Sequence, residues 1–292
     1  MEVVTGVSTG ALAAPFAFLG SKYDRQLEQI YTEYGDKDIL RSRGILGVLG
    51  PSLNDNTPLR NLIARYITDD VVEAIASEYQ IGRRLLVQTT NIAAQRPVVW
   101  DISAICASPR MDRRDLVVQI LLASAAIPAV FPPVRLPVQT ASGKVYDELH
   151  VDGGVSAQVF FAPPNIDFAN FERIAFGRPR VRNLYVIRNG RLRPVYAATI
   201  EQTLPLAQRA IETLTRYQGV ADLSRLESLA TKGKGKLFFA SIPNSFVSKP
   251  RSSFDNIYMR SLFAIGYKDG YARQWQIGAP ATPILAGGAL EK

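Results

Sequence analysis

The run Val3-Val4-Thr5-Gly6-Val7-Ser8-Thr9-Gly10-Ala11-Leu12-Ala13-Ala14 sets the pattern Gly-x-Ser-x-Gly between a β-branched stub and a string of helix formers. Val3 and Val4 read as the end of a buried strand, and Ala11 to Ala14 as the start of a helix. Small residues on either side of Ser8 suit a sharp strand-to-helix turn that pushes a serine hydroxyl outward beside backbone N–H groups. The same pentapeptide also serves as a glycine-lined packing turn, so its role depends on what the rest of the chain brings to it.

Working outward, β-branched and apolar runs alternate with helical patterns, the signature of an α/β protein whose mostly parallel sheet is covered by helices. Strands are expected over 84–91, 97–104, 144–152, 183–188 and 236–242. Helices are expected over 10–19, 59–66, 69–78, 113–126, 197–229 with an interruption at Pro205, and 254–275. The stretch 35–58, rich in glycine and carrying Ser-Leu-Asn-Asp-Asn, reads as irregular and suits a substrate mouth. With 292 residues, 47% of them hydrophobic, and no linker-like segment, a single domain over 1–292 is expected.

Composition excludes several classes. One cysteine, Cys106, forbids an intrachain disulfide, and one histidine with one cysteine argues against a structural zinc site. The net charge of +8 is spread over short clusters such as Arg41 with Arg43, Arg83 with Arg84 and Arg113 with Arg114, and is densest from Arg178 to Arg193. These read as solvated faces or as a basic surface that makes peripheral contact with anionic membrane lipid. No zinc-finger spacing or RNP-like aromatic motif accompanies the charge, so nucleic acid is not an expected partner. The most apolar stretch, 116–134, is broken by Gln119, Ser124 and three prolines and is not read as a membrane span. Glu2 and the two glycines around Ser8 argue against a signal peptide at the start.

Asp152 ends the expected strand 144–152 and is followed by Gly153 and Gly154. A carboxylate at the carboxyl end of a strand sits where open α/β sheets place their ligands, and two glycines let the chain turn away at once. An ordinary Asp-Gly turn satisfies the same residues. Two catalytic arrangements are open for Ser8. A Ser-His-acid triad would have to use His150, oriented by Asp101, Asp112, Asp115 or Asp147. A Ser8–Asp152 dyad would have the carboxylate take the hydroxyl proton directly. That requires a carboxylate more basic than the ordinary value near about 3.9, which burial would supply. The apolar run Ala123-Ser124-Ala125-Ala126-Ile127-Pro128-Ala129-Val130-Phe131-Pro132-Pro133 offers such a wall.

Four blocks together resemble the patatin-like phospholipase family over nearly the whole chain. They are Gly6 to Leu12, Leu85 to Asn91, the Ala123 to Pro133 run, and Val151-Asp152-Gly153-Gly154. The resemblance implies a three-layer α/β/α fold, no cofactor, Ser8 as nucleophile and Asp152 as its base. It also implies hydrolysis of lipid or phospholipid acyl esters through an acyl-enzyme. Thr9, Gly10, Gly153 and Gly154 would give backbone support, with the Thr9 N–H as an oxyanion donor. Ile127, Val130 and Phe131 are candidates for an apolar acyl wall. His150 has no catalytic counterpart in that picture. Members carry a glycine-rich oxyanion loop after a first strand, but only seven residues precede Ser8 here. The domain is therefore expected to be N-terminally incomplete, the absent part carrying that strand and loop and a secretion or lipoprotein signal. Gly44 to Gly50 is a weaker substitute for the loop. A fragment lacking it, catalytically impaired and only binding anionic lipid surfaces, is the other outcome.

Overall fold

The computed structural model describes residues 2–44, 50–140, 142–161, 173, 177–178, 180–191, 198 and 200–279. In chain order the elements are β1 (Val3–Val7), α1 (Thr9–Leu19), α2 (Asp24–Thr32), α3 (Asp36–Ile39), β2 (Arg41–Ser42), β3 (Asn54–Asp55), α4 (Thr57–Tyr66) and α5 (Asp69–Gln80). Then come β4 (Arg84–Asn91), β5 (Arg96–Asp101), α6 (Ile102–Ala107), α7 (Arg113–Ser124), β6 (Val134–Gln139) and β7 (Val145–Asp152). After a short 3₁₀ turn at Gly153–Val155 follow β8 (Leu184–Arg188), α8 (Thr203–Lys232), β9 (Leu237–Ser241), α9 (Asn256–Tyr271) and β10 (Gln276–Ile277).

The described chain divides into two compact units, one of residues 1–156 with 248–264, the other of 157–247 with 265–292. In the first, β4 lies in a five-stranded sheet with β1, β5, β6 and β7, flanked by helices. Leu85 and Val87 of β4 are fully buried, packed in one core with Ala11 and Phe16 of α1, Ile75 of α5, and Val117, Ile120 and Leu121 of α7. Burying aliphatic side chains of this size contributes roughly 1.5–3 kcal/mol each and is what holds the helices to the sheet. In the second unit, parallel β8 and β9, with β10 antiparallel to β9, pack Leu184, Val186, Leu237 and Phe239 against Leu223, Leu226 and Ala230 of α8.

The α/β class holds, with one difference in the sheet. In the first unit only β1–β4 is parallel, while β4–β5, β4–β7 and β6–β7 are antiparallel, against the expected mostly parallel order. Short connections explain two of these pairings: Ile92 to Gln95 and Thr140 to Lys144 are too short for a crossover and close hairpins instead. β5 ends at Asp101 rather than at residue 104, because the Asp101 side chain accepts from the Ala104 N–H and caps α6. Pro205 lies in the first turn of α8, where no intrahelical N–H bond is owed, so it opens the helix rather than interrupting it. The expected irregular stretch 35–58 holds α3 and the β2–β3 pair, and residues 45–49 lie outside the described ones. No helix of the described residues is long and apolar enough to cross a membrane.

Candidate functional site

β5 runs along one edge of β4 from Leu86 to Asn91, so β1 and β7 both occupy the other edge. β1 approaches from one end and stops with Val7 opposite Gln88. β7 approaches from the opposite end and stops with Asp152 opposite Thr89. Two strands therefore meet by their carboxyl ends at adjacent positions of β4. The residue that follows one strand and the residue that ends the other are brought face to face: the Ser8 Oγ donates to Asp152 Oδ2 at 2.6 Å.

Ser8 makes the turn between β1 and α1 with φ 55° and ψ −126°, a backbone conformation that costs a non-glycine residue about 1–3 kcal/mol. Surrounding bonds over-determine it. Its N–H donates to Ser124 Oγ at 3.1 Å, and Ser124, fully buried at the end of α7, donates onward to the Gln88 carbonyl at 2.7 Å. Gly6 is required by close packing, since a Cβ there would lie 2.6 Å from the Ala11 Cα and 2.7 Å from the Gly10 oxygen. Gly10 is not, for a Cβ there meets nothing within 4 Å. The Thr9 and Gly10 N–H groups belong to the first turn of α1 and have no intrahelical acceptor. Tyr31 of α2 clamps Thr9, its hydroxyl donating to the Thr9 carbonyl at 2.7 Å and standing 3.0 Å from the Thr9 Oγ1. Burial pushes the Tyr31 phenol up to about 12, so it stays a neutral donor.

Asp152 is 5% exposed. Burial pushes its carboxyl up to about 6, against the hydrogen bonds from Ser8 and the Gly154 N–H, which favour the ionised form. The Gly154 N–H donates to Asp152 Oδ1 at 2.7 Å, as in an N-cap, leaving Oδ2 for the serine. The Asp152 N–H donates to the Ala126 carbonyl at 2.9 Å, so the 123–126 segment braces both Ser8 and Asp152. A Cβ on Gly153 would stand 2.3 Å from the Gln88 oxygen; only glycine lets β7 turn this close to β4. Gln88 returns the contact through Nε2, which donates to the Gly153 carbonyl at 3.2 Å, and Ser156, 2.9 Å from the Thr90 hydroxyl, donates to the same carbonyl.

His150 is fully buried and engaged elsewhere. Its Nδ1 lies 2.9 Å from Thr89 Oγ1 and its Nε2 3.2 Å from Glu148 Oε2, while the Trp100 indole N–H also donates to Thr89 Oγ1 at 2.8 Å. Burial holds its pKa below the ordinary imidazole value, opposed by Glu148. Its acidic neighbour is therefore Glu148, two positions away on the same strand face, and not one of the four aspartates weighed above.

Of the acyl-wall candidates, Ile127 is exposed, Val130 half-buried and Phe131 packed in the core at 2% exposure. Part of the 35–58 stretch runs beside them: the Leu53 N–H donates to the Ala129 carbonyl at 2.8 Å and the Asn54 N–H to that of Val130 at 3.1 Å. An apolar cavity of about 30 Å³ is lined by Leu12 and Phe16, one and two helical turns after Ser8, with Ile30, Leu59, Tyr66 and Leu121. Cys106 is buried with its thiol pushed up to about 12 and is chemically quiet. Among the described residues no group of three or more His, Cys, Asp or Glu side chains is gathered as a metal site. Gln88, Ser124 and Tyr31 escaped the reading of the sequence. The usable signal for the first two was a polar residue inside an otherwise apolar run, which when buried needs a partner.

Comparison with known proteins follows the same residues. The family model described as patatin-like phospholipase matches residues 1–164, the part that holds all four sequence blocks. Patatin-T5 of Solanum tuberosum is 26% identical over 161 residues, a match covering 53% of this chain and 39% of that protein. Patatin group M-3 of the same plant is 25% identical over 161 residues, with 53% and 39% covered. The match thus spans well under half the length of these relatives. Among solved structures, VipD from Legionella pneumophila aligns with a TM-score of 0.38 at 13% identity, covering 90% of this chain and 61% of that one.

Proposed function

The chain belongs to the patatin-like phospholipase family, and from that premise we propose that it hydrolyses fatty-acyl esters of lipids through a Ser8–Asp152 dyad. The observation that carries the reading is the 2.6 Å hydrogen bond from Ser8 Oγ to a buried carboxylate whose pKa is pushed up to about 6. At neutral pH such a carboxylate is ionised yet far more basic than a free aspartate, which suits a general base. Both His150 ring nitrogens are occupied by Thr89 and Glu148, which favours the dyad over a triad.

In the first half-reaction the Ser8 hydroxyl proton passes to Asp152 Oδ2 as Oγ attacks the ester carbonyl carbon. The carbonyl π-electrons move to oxygen, and the resulting oxyanion is met by the Thr9 and Gly10 N–H groups at the start of α1. Collapse breaks the bond to the alcohol oxygen, which takes the proton from Asp152 and departs, leaving an acyl-Ser8 ester. In the second half-reaction Asp152 takes a proton from water, the hydroxyl attacks the acyl carbon, and Ser8 leaves with that proton as the fatty acid is released. The strained turn keeps Oγ beside Asp152 through both halves, and the Ser124 and Gly154 contacts keep nucleophile and base in register.

Intact-mass analysis after treatment with a fluorophosphonate tests the proposal. One covalent adduct is expected on the parent chain, and none on Ser8→Ala or Asp152→Asn, together with Ser8-dependent release of fatty acid from phospholipid. Full esterase activity in a folded Ser8→Ala variant overturns it.

A further inference from the structure

The two units differ sharply in charge. The first contains 18 Lys and Arg against 18 Asp and Glu, whereas the second contains 16 against 8 and so carries the entire net charge of +8. Many of the first unit's cations are paired within it, as in Arg83 with Glu78, Arg84 with Asp101, Arg110 with Asp112 and Arg113 with Glu73.

The same second unit carries an uncovered apolar helix face. The C-terminal half of α8 is held to β8 and β9 by Leu223, Leu226 and Ala230. Its N-terminal half exposes Leu206 at 49%, Ile211 at 63%, Leu214 at 71% and Tyr217 at 47%. Leu206, Ala210, Leu214 and Tyr217 follow one another at intervals of four, four and three, which is one stripe along the helix. Leu223 stands nine positions beyond Leu214, or two and a half turns, and so faces the opposite way. The apolar stripe of α8 thus changes sides midway along the helix: the second half packs on the sheet and the first half turns outward. Arg209 and Arg216 flank the outward stripe. Ordinary core packing explains Leu223 to Ala230 and leaves Leu206 to Tyr217 unexplained, since exposed aliphatic and aromatic side chains in a continuous stripe mark an interaction surface.

We propose that the outward face of α8, from Leu206 to Tyr217, docks on an anionic lipid surface. The proposal rests on the lipid-hydrolase reading above, which supplies a reason to meet such a surface. Charge selects the occupant. Two copies meeting through this face would bring two units of +8 together, whereas anionic headgroups neutralise that charge at roughly 1 kcal/mol per Lys or Arg near the surface. An amphipathic helix with aliphatic and aromatic residues on one side and basic residues beside them is suited to lying in the headgroup region.

The test is co-sedimentation with phosphatidylcholine vesicles, with and without phosphatidylglycerol, comparing the parent, Ser8→Ala and the double variant Leu214→Glu with Tyr217→Glu. Hydrolysis of vesicle lipid and of a water-soluble short-chain ester is measured on the same preparations, and circular dichroism checks that the surface variant is folded. The parent and Ser8→Ala are expected to bind phosphatidylglycerol vesicles and to release at high salt. The double variant is expected to lose binding and vesicle hydrolysis about tenfold or more, with short-chain ester hydrolysis unchanged. Equal binding by the double variant, or no preference for phosphatidylglycerol, overturns the docking surface and leaves the hydrolase reading standing. A parent that sediments as a dimer while the variant is monomeric and binds vesicles equally assigns the face to self-association and overturns it too. Vesicle binding that the double variant loses, with no Ser8-dependent hydrolysis of either substrate, supports the docking surface and removes the hydrolase reading.

Discussion

The backbone N–H of Ser8 donates to the side-chain oxygen of Ser124, 3.1 Å away, and that hydroxyl donates on to the Gln88 carbonyl. A buried serine at the end of α7 thereby ties the strained turn after β1 to the central strand β4. Ser124→Ala leaves the Ser8 N–H without its acceptor. A loss of about 1–3 kcal/mol in unfolding free energy is expected. On the proposed mechanism a fall in kcat larger than the change in KM should accompany it, because the orientation of Ser8 and not a binding surface is disturbed. Denaturant unfolding and steady-state kinetics on one ester measure both.

The two glycines of the pentapeptide should behave oppositely. Gly6→Ala drives a Cβ into the Ala11 backbone at 2.6 Å, so the strand-to-helix turn cannot close and the folded yield should collapse. Gly10→Ala finds open space within a helical turn and should raise stability by about 0.4–1 kcal/mol through the unfolded state. Thermal unfolding of the two variants side by side decides this, and equal destabilisation contradicts it.

The carboxyl of Asp152 links activity and stability to pH with opposite signs. Folding raises its pKa from 3.8 to about 6, so the folded chain holds that proton more tightly than the unfolded one between these values. The associated stability is fully present below 3.8 and is lost as pH rises through about 6. Hydrolysis should therefore rise as the base ionises and level off above about pH 7. Asp152→Asn should be inactive yet more stable than the parent above that pH, by up to about 3 kcal/mol for a shift of roughly two units. The difference should vanish near the ordinary aspartate pKa. An Asp152→Asn variant less stable than the parent at neutral pH would contradict the burial that raises this group.

His150→Phe keeps a ring in the space beside Trp100 but removes the partner of Thr89 and Glu148. Stability should fall by about 1–3 kcal/mol, while kcat of the folded variant should change less than about tenfold. A loss of 10³-fold or more, comparable with that of Ser8→Ala, would instead point to a triad.

Local structure was legible where one residue's neighbours in sequence are also its neighbours in space. β4 lies over the expected 84–91, and α4 and α5 begin and end within two residues of their expected bounds, because period and capping are local properties. β6 and α2 were missed. β6, Val-Arg-Leu-Pro-Val-Gln, alternates apolar and other residues but follows two prolines and carries a third, and α2 is a nine-residue helix that buries none of its residues fully. The Gly-x-Ser-x-Gly turn and the Asp-Gly-Gly strand end were both visible, but an ordinary glycine turn satisfied each of them.

By itself the sequence determined the α/β class, the strained serine turn, the strand that ends in Asp152 and the family that joins them. Only the tertiary structure decided that β1 and β7 share one edge of β4 and meet there end to end, which brings Ser8 and Asp152, 144 positions apart in sequence, to 2.6 Å. It also decided that Ser124 and Ala126 brace the pair and that His150 is turned to Thr89 and Glu148. The physical reason is that strand register and burial arise from contacts between distant segments. Those contacts set both the proton affinity of Asp152 and the identity of its neighbour, and no local pattern of residue types encodes either.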